Sequence, residues 1–503
     1  MKYQHNKILT SLAMVAVLLL GSCKKDFLDK PQPNQFVSDK AVFASESGVR
    51  AYFYGIYRNL RRQWSNIDNT AGGATDTWGY NSINVARVNK GNDIINPSGW
   101  YVNDYRHGNR EPNFRRVLFT WGFFYEAINQ ANVIIDGVTG SSMPDATKKK
   151  LIGEARALRA WMYFEAVREF SFPILKDPNG PGIPLYTTPT SIDNKGKGRG
   201  TVKQVYDQIN EDIAFAVANL GTDREIKSQI NLNVAQGMMA RIMLEQGKWA
   251  EAAAAALAAR NGFNLAPADY GNGFSNLDSK EVIWGFPQTQ ENGGQSLYYG
   301  TPSSFYEKTG NGYDNLFINA DLVATFTNTD IRNTFYLTSS TPTSQQRYSS
   351  NKFGSASASN VTLISGKTVK LNETDFDEDL PMMRVAEMIL IEAEARAELA
   401  QTTQAKALLF SLQLNRDPSK TESSNTGAAL VAEILLERRK ELYGELGIDF
   451  LDIKRRQLPL VRAGNHAAAY RFNWLPNDAR LLLKIPQKEF DTNTALTAAD
   501  QNL

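Results

Sequence analysis

The sequence predicts a mainly α fold in which paired helices pack against an irregular region of loops, short helices and short strands. Between about 115 and 260, apolar residues recur at i, i+3 and i+4, which gathers them on one helix face, and the same periodicity returns beyond 382. From about 262 to 380, by contrast, Gly, Asn, Ser and Thr are frequent and apolar runs are as short as Val282-Ile-Trp284. With 503 residues, 42% hydrophobic and 11% aromatic, the chain has ample material for a sizeable core.

Phe124, Ala127, Ile128, Ala131, Ile135 and Val138 predict one helix, and Leu151, Ala155, Leu158, Met162 and Ala166 predict the next, with a turn at Gly140 to Asp145 between them. Thr201 and Gln204 are spaced as a capping box ahead of a third helix carrying Val205, Ile209, Ile213, Ala216 and Leu220. A fourth begins near Asn233 and breaks at Gly247, after which Trp249, Ala252, Ala256 and Ala259 start another. That break, with an aromatic two residues on and then spaced alanines, resembles a tetratricopeptide unit, where small residues let paired helices approach closely. Further helices are expected at 382–399, 405–414 and 428–446, and Leu481 to Pro486 is expected to be a short buried extended segment.

The start of the chain predicts where it is sent. Lys2 and Lys7 precede an apolar run from Ile8 to Leu20, too short to span a bilayer comfortably but fitting the apolar part of a secretory signal. Leu20-Gly-Ser-Cys23 resembles a bacterial lipobox, and Cys23 is the only cysteine of the chain. Residues 1–22 are therefore expected to be a lipoprotein signal peptide, Cys23 the lipidated residue, and 23–36, with Pro31 and Pro33, a tether. A lone cysteine forms no intrachain disulfide and no cysteine-based zinc site. Without Lys2 and Lys7 the remaining chain balances 53 basic against 53 acidic residues, so it has no net electrostatic drive toward nucleic acid.

Candidate chemistry has to be weighed against packing. Glu387, Glu392, Glu394, Glu433, Glu437 and Glu441, with Arg384, Arg396, Arg438 and Arg439, hold the residue types of a glycosidase. Their helical spacing favours ion pairs between and along helices, and no catalytic residue is assigned. His107 and His466, the histidines left after the signal, are expected in surface loops, and no metal site or cofactor is assigned. Gly196-Lys-Gly-Arg-Gly200 lacks the spacing of a nucleotide-binding loop and reads as a flexible linker before Thr201. The stretch from Trp64 to Tyr105 is the better lead, because it interleaves aromatic side chains with Asn and Asp. A sugar ring stacks its C–H face on Trp or Tyr and bonds its hydroxyl rim to amides and carboxylates.

Phe27-Leu-Asp29 after the lipobox, Trp121 to Asn132, Glu154 to Phe164, Phe172-Pro-Ile174, Asp330-Ile-Arg332, Arg384 to Ala395, Glu437 to Leu442, Asp452 to Arg455 and Ile485 to Phe490 follow in order. Together these segments resemble the SusD/RagB family. The segment after Gly444 lacks the family's common basic residue, and the closing glycine-tyrosine pair is absent. The resemblance implies a tetratricopeptide-like part over 37–261 and a C-terminal part over 262–503, packed as one body. It implies a cell-surface lipoprotein of the outer membrane in Gram-negative bacteria. Such a protein captures an oligosaccharide, or a peptide, and delivers it to a SusC-like TonB-dependent outer-membrane transporter.

By position the resemblance points to Trp78, Tyr80, Trp100 and Tyr101, with Asp76 and Asn81 as polar partners, and secondarily to Tyr298 and Tyr299 alongside Trp284, Phe305 and Tyr306. Trp284, Trp121 and Trp161 are expected to serve packing. Two readings from other classes remain beside it, a surface-anchored glycoside hydrolase and a helical-repeat scaffold without a small ligand.

Overall fold

The computed structural model describes residues 39–503 except 66, 68–72, 192, 273, 275, 289–315, 340–346, 351, 354–360, 365–366 and 371–378. Residues 1–22, Cys23 and the 23–36 tether lie outside the described residues, as do Tyr298, Tyr299, Phe305 and Tyr306. Contacts divide the chain into residues 1–42, of which Asp39–Val42 is a helical turn, and a compact unit, residues 43–503.

Long helices dominate the unit. In order they are α1 (Glu46–Asn59), α2 (Gly79–Lys90), α3 (Val102–Tyr105), α4 (Arg115–Thr139), α5 (Asp145–Phe170), α6 (Val202–Asn219), α7 (Leu232–Glu245) and α8 (Trp249–Ala259). After the irregular middle come α9 (Ala320–Val323), α10 (Val385–Glu398), α11 (Thr402–Arg416), α12 (Gly427–Leu442), α13 (Ile448–Arg455) and α14 (Gln487–Thr492). Thr201 and Gln204 form the expected capping box, each side chain bonding the other's backbone N–H and so satisfying donors that a helix start leaves free. Between α7 and α8 the backbone turns at Gly247 with φ +67°, a left-handed conformation that L side chains resist. The tetratricopeptide-like pairing follows, with Ala252, Ala256 and Ala259 buried on the α8 face.

The strands are short and scattered. Antiparallel pairs form between β1 (Gln63–Ser65) and β2 (Gly73–Trp78), between β4 (Val282–Phe286) and β10 (Leu380–Arg384), between β8 (Val361–Ile364) and β9 (Lys367–Lys370), and between β11 (Leu460–Val461) and β12 (Asn473–Trp474). A four-stranded sheet runs in the order β3 (Ile94–Ile95), β5 (Phe317–Ile318), β7 (Arg347–Ser350), β6 (Phe335–Ser339). Trp284 is buried as expected, edge-on to Trp161 at 4.7 Å between ring centres, its indole N–H donating to the Ser228 carbonyl at 2.9 Å.

Three expectations are corrected. The helix expected from 382 starts at Val385, because Leu380–Arg384 pairs as a strand with β4. Apolar side chains suit either state, and here the strand partner decides. The 64–105 stretch is not a loop throughout: it folds as β1, β2, α2, β3 and α3, and every residue of α2 is buried. Burial all round leaves no one-sided stripe to see in the sequence. The 196–200 segment is pinned rather than free, since Arg199 donates to the carbonyls of Gly182 (2.7 Å) and Asp500 (2.7 Å).

Candidate functional site

The site begins at the β2–α2 junction. Trp78 ends β2, and its backbone N–H donates to the Ser82 hydroxyl at 2.6 Å across the first turn of α2. Tyr101 adopts a left-handed backbone (φ +65°) that turns the 97–101 loop back toward β2. Its hydroxyl donates to the Thr75 carbonyl at 3.2 Å and lies 3.0 Å from the Ser82 hydroxyl, which can donate to it. Under it lies Arg116, with its guanidinium 5.3 Å from the Tyr101 ring centre and bonded to Asp104 at 3.1 Å. Asp76 pairs with the neighbouring Arg115 at 3.0 Å, and Arg115 keeps 30% of its side chain in solvent.

The aromatic residues expected here therefore divide. Tyr80 and Tyr101 are buried, and burial raises both phenols above the usual tyrosine range. Tyr80 stands edge-on to Trp161 at 4.9 Å, inside the core. Trp78 is 3% exposed, and Asn81 and Asp76 are buried. Trp100 is half-buried: it packs against a cluster containing Val85, Ile94, Ile318 and Phe335, as does the half-buried Tyr348 of β7. Its own loop is braced by Asn96, which donates to the Trp100 carbonyl at 2.8 Å and to Asn89 at 3.0 Å. A half-buried aromatic ring on a braced loop, tied through Tyr101 to the strand that carries Asp76 of the Asp76–Arg115 pair, suits a ligand with both a C–H face and hydroxyls. Sequence reasoning missed Arg115, Arg116 and Tyr348; the paired arginines opening α4 were the visible signal for the first two.

Of the candidate carboxylates, Glu387, Glu392, Glu394, Glu437 and Glu441 are held in ion pairs, whereas Glu433 accepts from Gln413, Ser423 and Asn425. Glu441 lies between Arg384 (3.0 Å), Arg416 (3.0 Å) and Arg332 (3.2 Å), whose charges hold its carboxyl well below the usual range. Glu387 bonds Arg241 at 2.6 Å, Glu392 bonds Arg260 at 2.6 Å, and Glu394 bonds Arg455 at 2.7 Å.

Both remaining histidines are buried, correcting their expected place in surface loops. His107 sits among Phe450, Phe472 and Trp474, and His466 stacks on Tyr105 at 5.7 Å. Burial holds His107 well below the usual histidine range and pulls His466 down to about 4. Among the described residues no group of three or more His, Cys, Asp or Glu side chains is placed to hold a metal ion, and no helix is long and apolar enough to cross a membrane.

A second concavity lies away from this stretch, where Trp121 and Tyr125 of α4 face Tyr186, Asn194 and Glu489. Trp121 lines it as well as packing on Phe170, so the packing role expected of that residue is only part of its placement.

Mainly helical architecture with a tetratricopeptide-like pair defines the class. Within it, residues 26–244 match the family SusD-like_3, described as "Starch-binding associating with outer membrane", and residues 330–503 match SusD_RagB, described as "SusD family". This chain belongs to the SusD/RagB family. It is 25% identical over 237 residues to a SusD-like protein of Bacteroides ovatus, covering 46% of this chain and 38% of that protein. It is 22% identical over 242 residues to SusD-like protein P25 of Formosa agariphila, covering 47% and 43%. The chain thus spans less than half the length of these curated relatives.

Solved structures align over more of its length. A SusD-like carbohydrate binding protein from Bacteroides vulgatus superposes with a TM-score of 0.78 at 23% identity, covering 92% of this chain and 98% of that one. A laminarin binding SusD-like protein superposes with a TM-score of 0.66 at 20% identity, covering 91% and 98%. At these identities the likeness bears on the fold.

Proposed function

We propose that this chain is a non-catalytic glycan-binding lipoprotein of the outer membrane, anchored through Cys23, which captures an oligosaccharide and passes it to a SusC-like TonB-dependent transporter. The observation that carries the reading is the half-buried Trp100 on a loop tied to β2, the strand that also carries Asp76 of the Asp76–Arg115 pair. Trp100 supplies contact area, while polar groups set orientation; Trp78 and Asn81, more deeply placed, support the loop and strand that present it. The starch-binding description of the family and the laminarin binding protein of like fold support a glycan as the ligand class. Absence of turnover is supported by the ion pairing of Glu387, Glu392, Glu394 and Glu441, whose charges are matched by arginines of neighbouring segments.

The test is retention of the mature protein in polysaccharide gels, with product analysis of the same mixtures. One glycan class should retard the protein without new reducing ends, and Trp100→Ala should weaken that binding by about tenfold, or about 1.4 kcal/mol. Unchanged retention would remove Trp100 from the site. Accumulating reducing ends would replace a binder by a hydrolase, and peptide binding without glycan binding would replace the ligand class.

A further inference from the structure

The pocket on the outer side of α4 shares no residue with the Trp100 stretch. It measures about 280 Å³, near the lower end of small-molecule sites and suited to one sugar ring rather than a chain of them. Tyr125 forms its centre, 4.6 Å from Trp121 at 35° and 6.0 Å from Tyr186 at 80°. Both tyrosine rings are locked by their hydroxyls: Tyr125 donates to the Pro184 carbonyl at 2.8 Å, and Tyr186 accepts from the Lys197 N–H at 3.0 Å. Locked rings lose little entropy when a ligand stacks on them.

Gly122 supplies a separate argument. It lies inside α4, where glycine costs about 1 kcal/mol relative to alanine, yet a Cβ built there meets nothing within 4 Å. No packed neighbour therefore excludes a side chain here, and a larger one would project into the open pocket. The polar rim is also arranged. Asn129 accepts from the Thr190 N–H at 2.8 Å through its carbonyl, leaving its amide hydrogens without a partner among the described residues. Burial raises the Glu489 carboxyl from its ordinary value. An amine ligand is disfavoured by Lys195 at the wall and Lys197 over Tyr186, and an anion is disfavoured by the Glu489 carboxyl. A neutral polyol meets neither objection.

We propose that this pocket is a second carbohydrate subsite taking one neutral pyranose residue, set against Tyr125 and Tyr186, flat on one ring and edge-on to the other, and bonded at its hydroxyl rim by Asn129, Asn194 and Glu489. The inference rests on the glycan-binding reading above for its ligand class, but on different residues. It would let the protein hold a branch or a second stretch of a glycan already captured at Trp100, gaining avidity without a new partner.

The experiment is a titration of the mature chain with glucose, galactose, mannose and N-acetylglucosamine, read by tryptophan fluorescence and ligand-observed NMR, beside polysaccharide gel retention. At least one sugar should saturate the wild type in the millimolar range. Gly122→Leu, which fills the pocket from a helical position, should weaken it about tenfold or more, as should Tyr186→Ala, the second variant should the first misfold. Leu475→Ala, at an exposed position outside both sites, should leave it unchanged. No saturation by any of these sugars, or full binding in both pocket variants, overturns the subsite. If polysaccharide retention nonetheless falls in Trp100→Ala alone, the subsite fails and the proposed function stands. If the monosaccharide binds the pocket while no polysaccharide is retained, the reverse holds.

Discussion

His466 has both ring nitrogens committed: Nδ1 lies 2.7 Å from the Tyr105 hydroxyl and Nε2 lies 2.9 Å from the Asn92 carbonyl. A carbonyl only accepts, so Nε2 carries the proton and donates, and Nδ1 accepts from Tyr105. Protonating Nδ1 charges a ring that burial, with the nearby Arg462 and Arg471 charges, keeps neutral, which is why its folded pKa falls from 6.5 to about 4. The unfolded chain then binds the extra proton first, so this group's stabilisation is lost as pH falls from about 6.5 to 4. Asp449 runs the other way. Burial and the charge of Asp93 push it up to about 7, so the folded state takes up a proton earlier than the unfolded chain, and stability from this group is lost as pH rises toward 7. The two slopes oppose each other between about pH 4 and 6.5. Asp449→Asn should expose the histidine slope: its stability relative to wild type should fall by of order 1 kcal/mol per pH unit on acidification over that window. Urea unfolding at three pH values checks this, and parallel profiles would contradict it. Neither group is legible in the sequence, because a histidine in a polar stretch and an aspartate after Gly-Ile show no sign of which chain segments close over them. The same blindness affected Tyr80 and Tyr101. Their density among asparagines was visible, but their burial depends on α4 and α5, which lie far along the chain.

At the scale of elements, α12 shows what periodicity reveals and what it withholds. Its helix, like α4 to α8, was legible from spacing, and the charges on it were legible as ion-pair material. Partners were not. Glu437 and Glu441 meet Arg332 from the segment before β6, Arg384 from the end of β10 and Arg416 from the end of α11, with Glu281 bridging Arg384 and Arg416 at 2.6 Å each. Each guanidinium is desolvated, so the network holds together only while its negative charges are complete. Glu441→Gln leaves three buried arginines short of one charge and should cost about 3–5 kcal/mol, measured as a lower urea midpoint with an unchanged slope. A loss within 1 kcal/mol would mean that water or rearranged neighbours replace the carboxylate. The replacement of an expected helical turn by β10 belongs here too. Arg384 closes β10 and caps the start of α10, so the strand delivers its guanidinium to the network.

For the whole molecule, the question is whether 37–261 and 262–503, the two parts the sequence suggests, fold independently. Contacts across that boundary argue against it. Gly447, at φ +68° before α13, lies so close to Arg87 of α2 that a Cβ there would fall 2.1 Å from the Arg87 Cβ. Arg462 donates to the carbonyls of Asn89 (2.9 Å), Gly91 (3.0 Å) and Tyr105 (2.7 Å), groups that no helix or strand bond would otherwise satisfy. β3 has its sheet partner in β5, and Arg241 of α7 finds its counter-ion, Glu387, on α10. A fragment of residues 37–261 would expose these carbonyls and charges together with the apolar faces of α7 and α8 that α10 covers. It should therefore lack cooperative thermal unfolding when made alone, while co-expression with 262–503 should restore one transition shared by both fragments. Two separate transitions, or a cooperative one in either fragment alone, would show that the contacts across the boundary join bodies that were already folded.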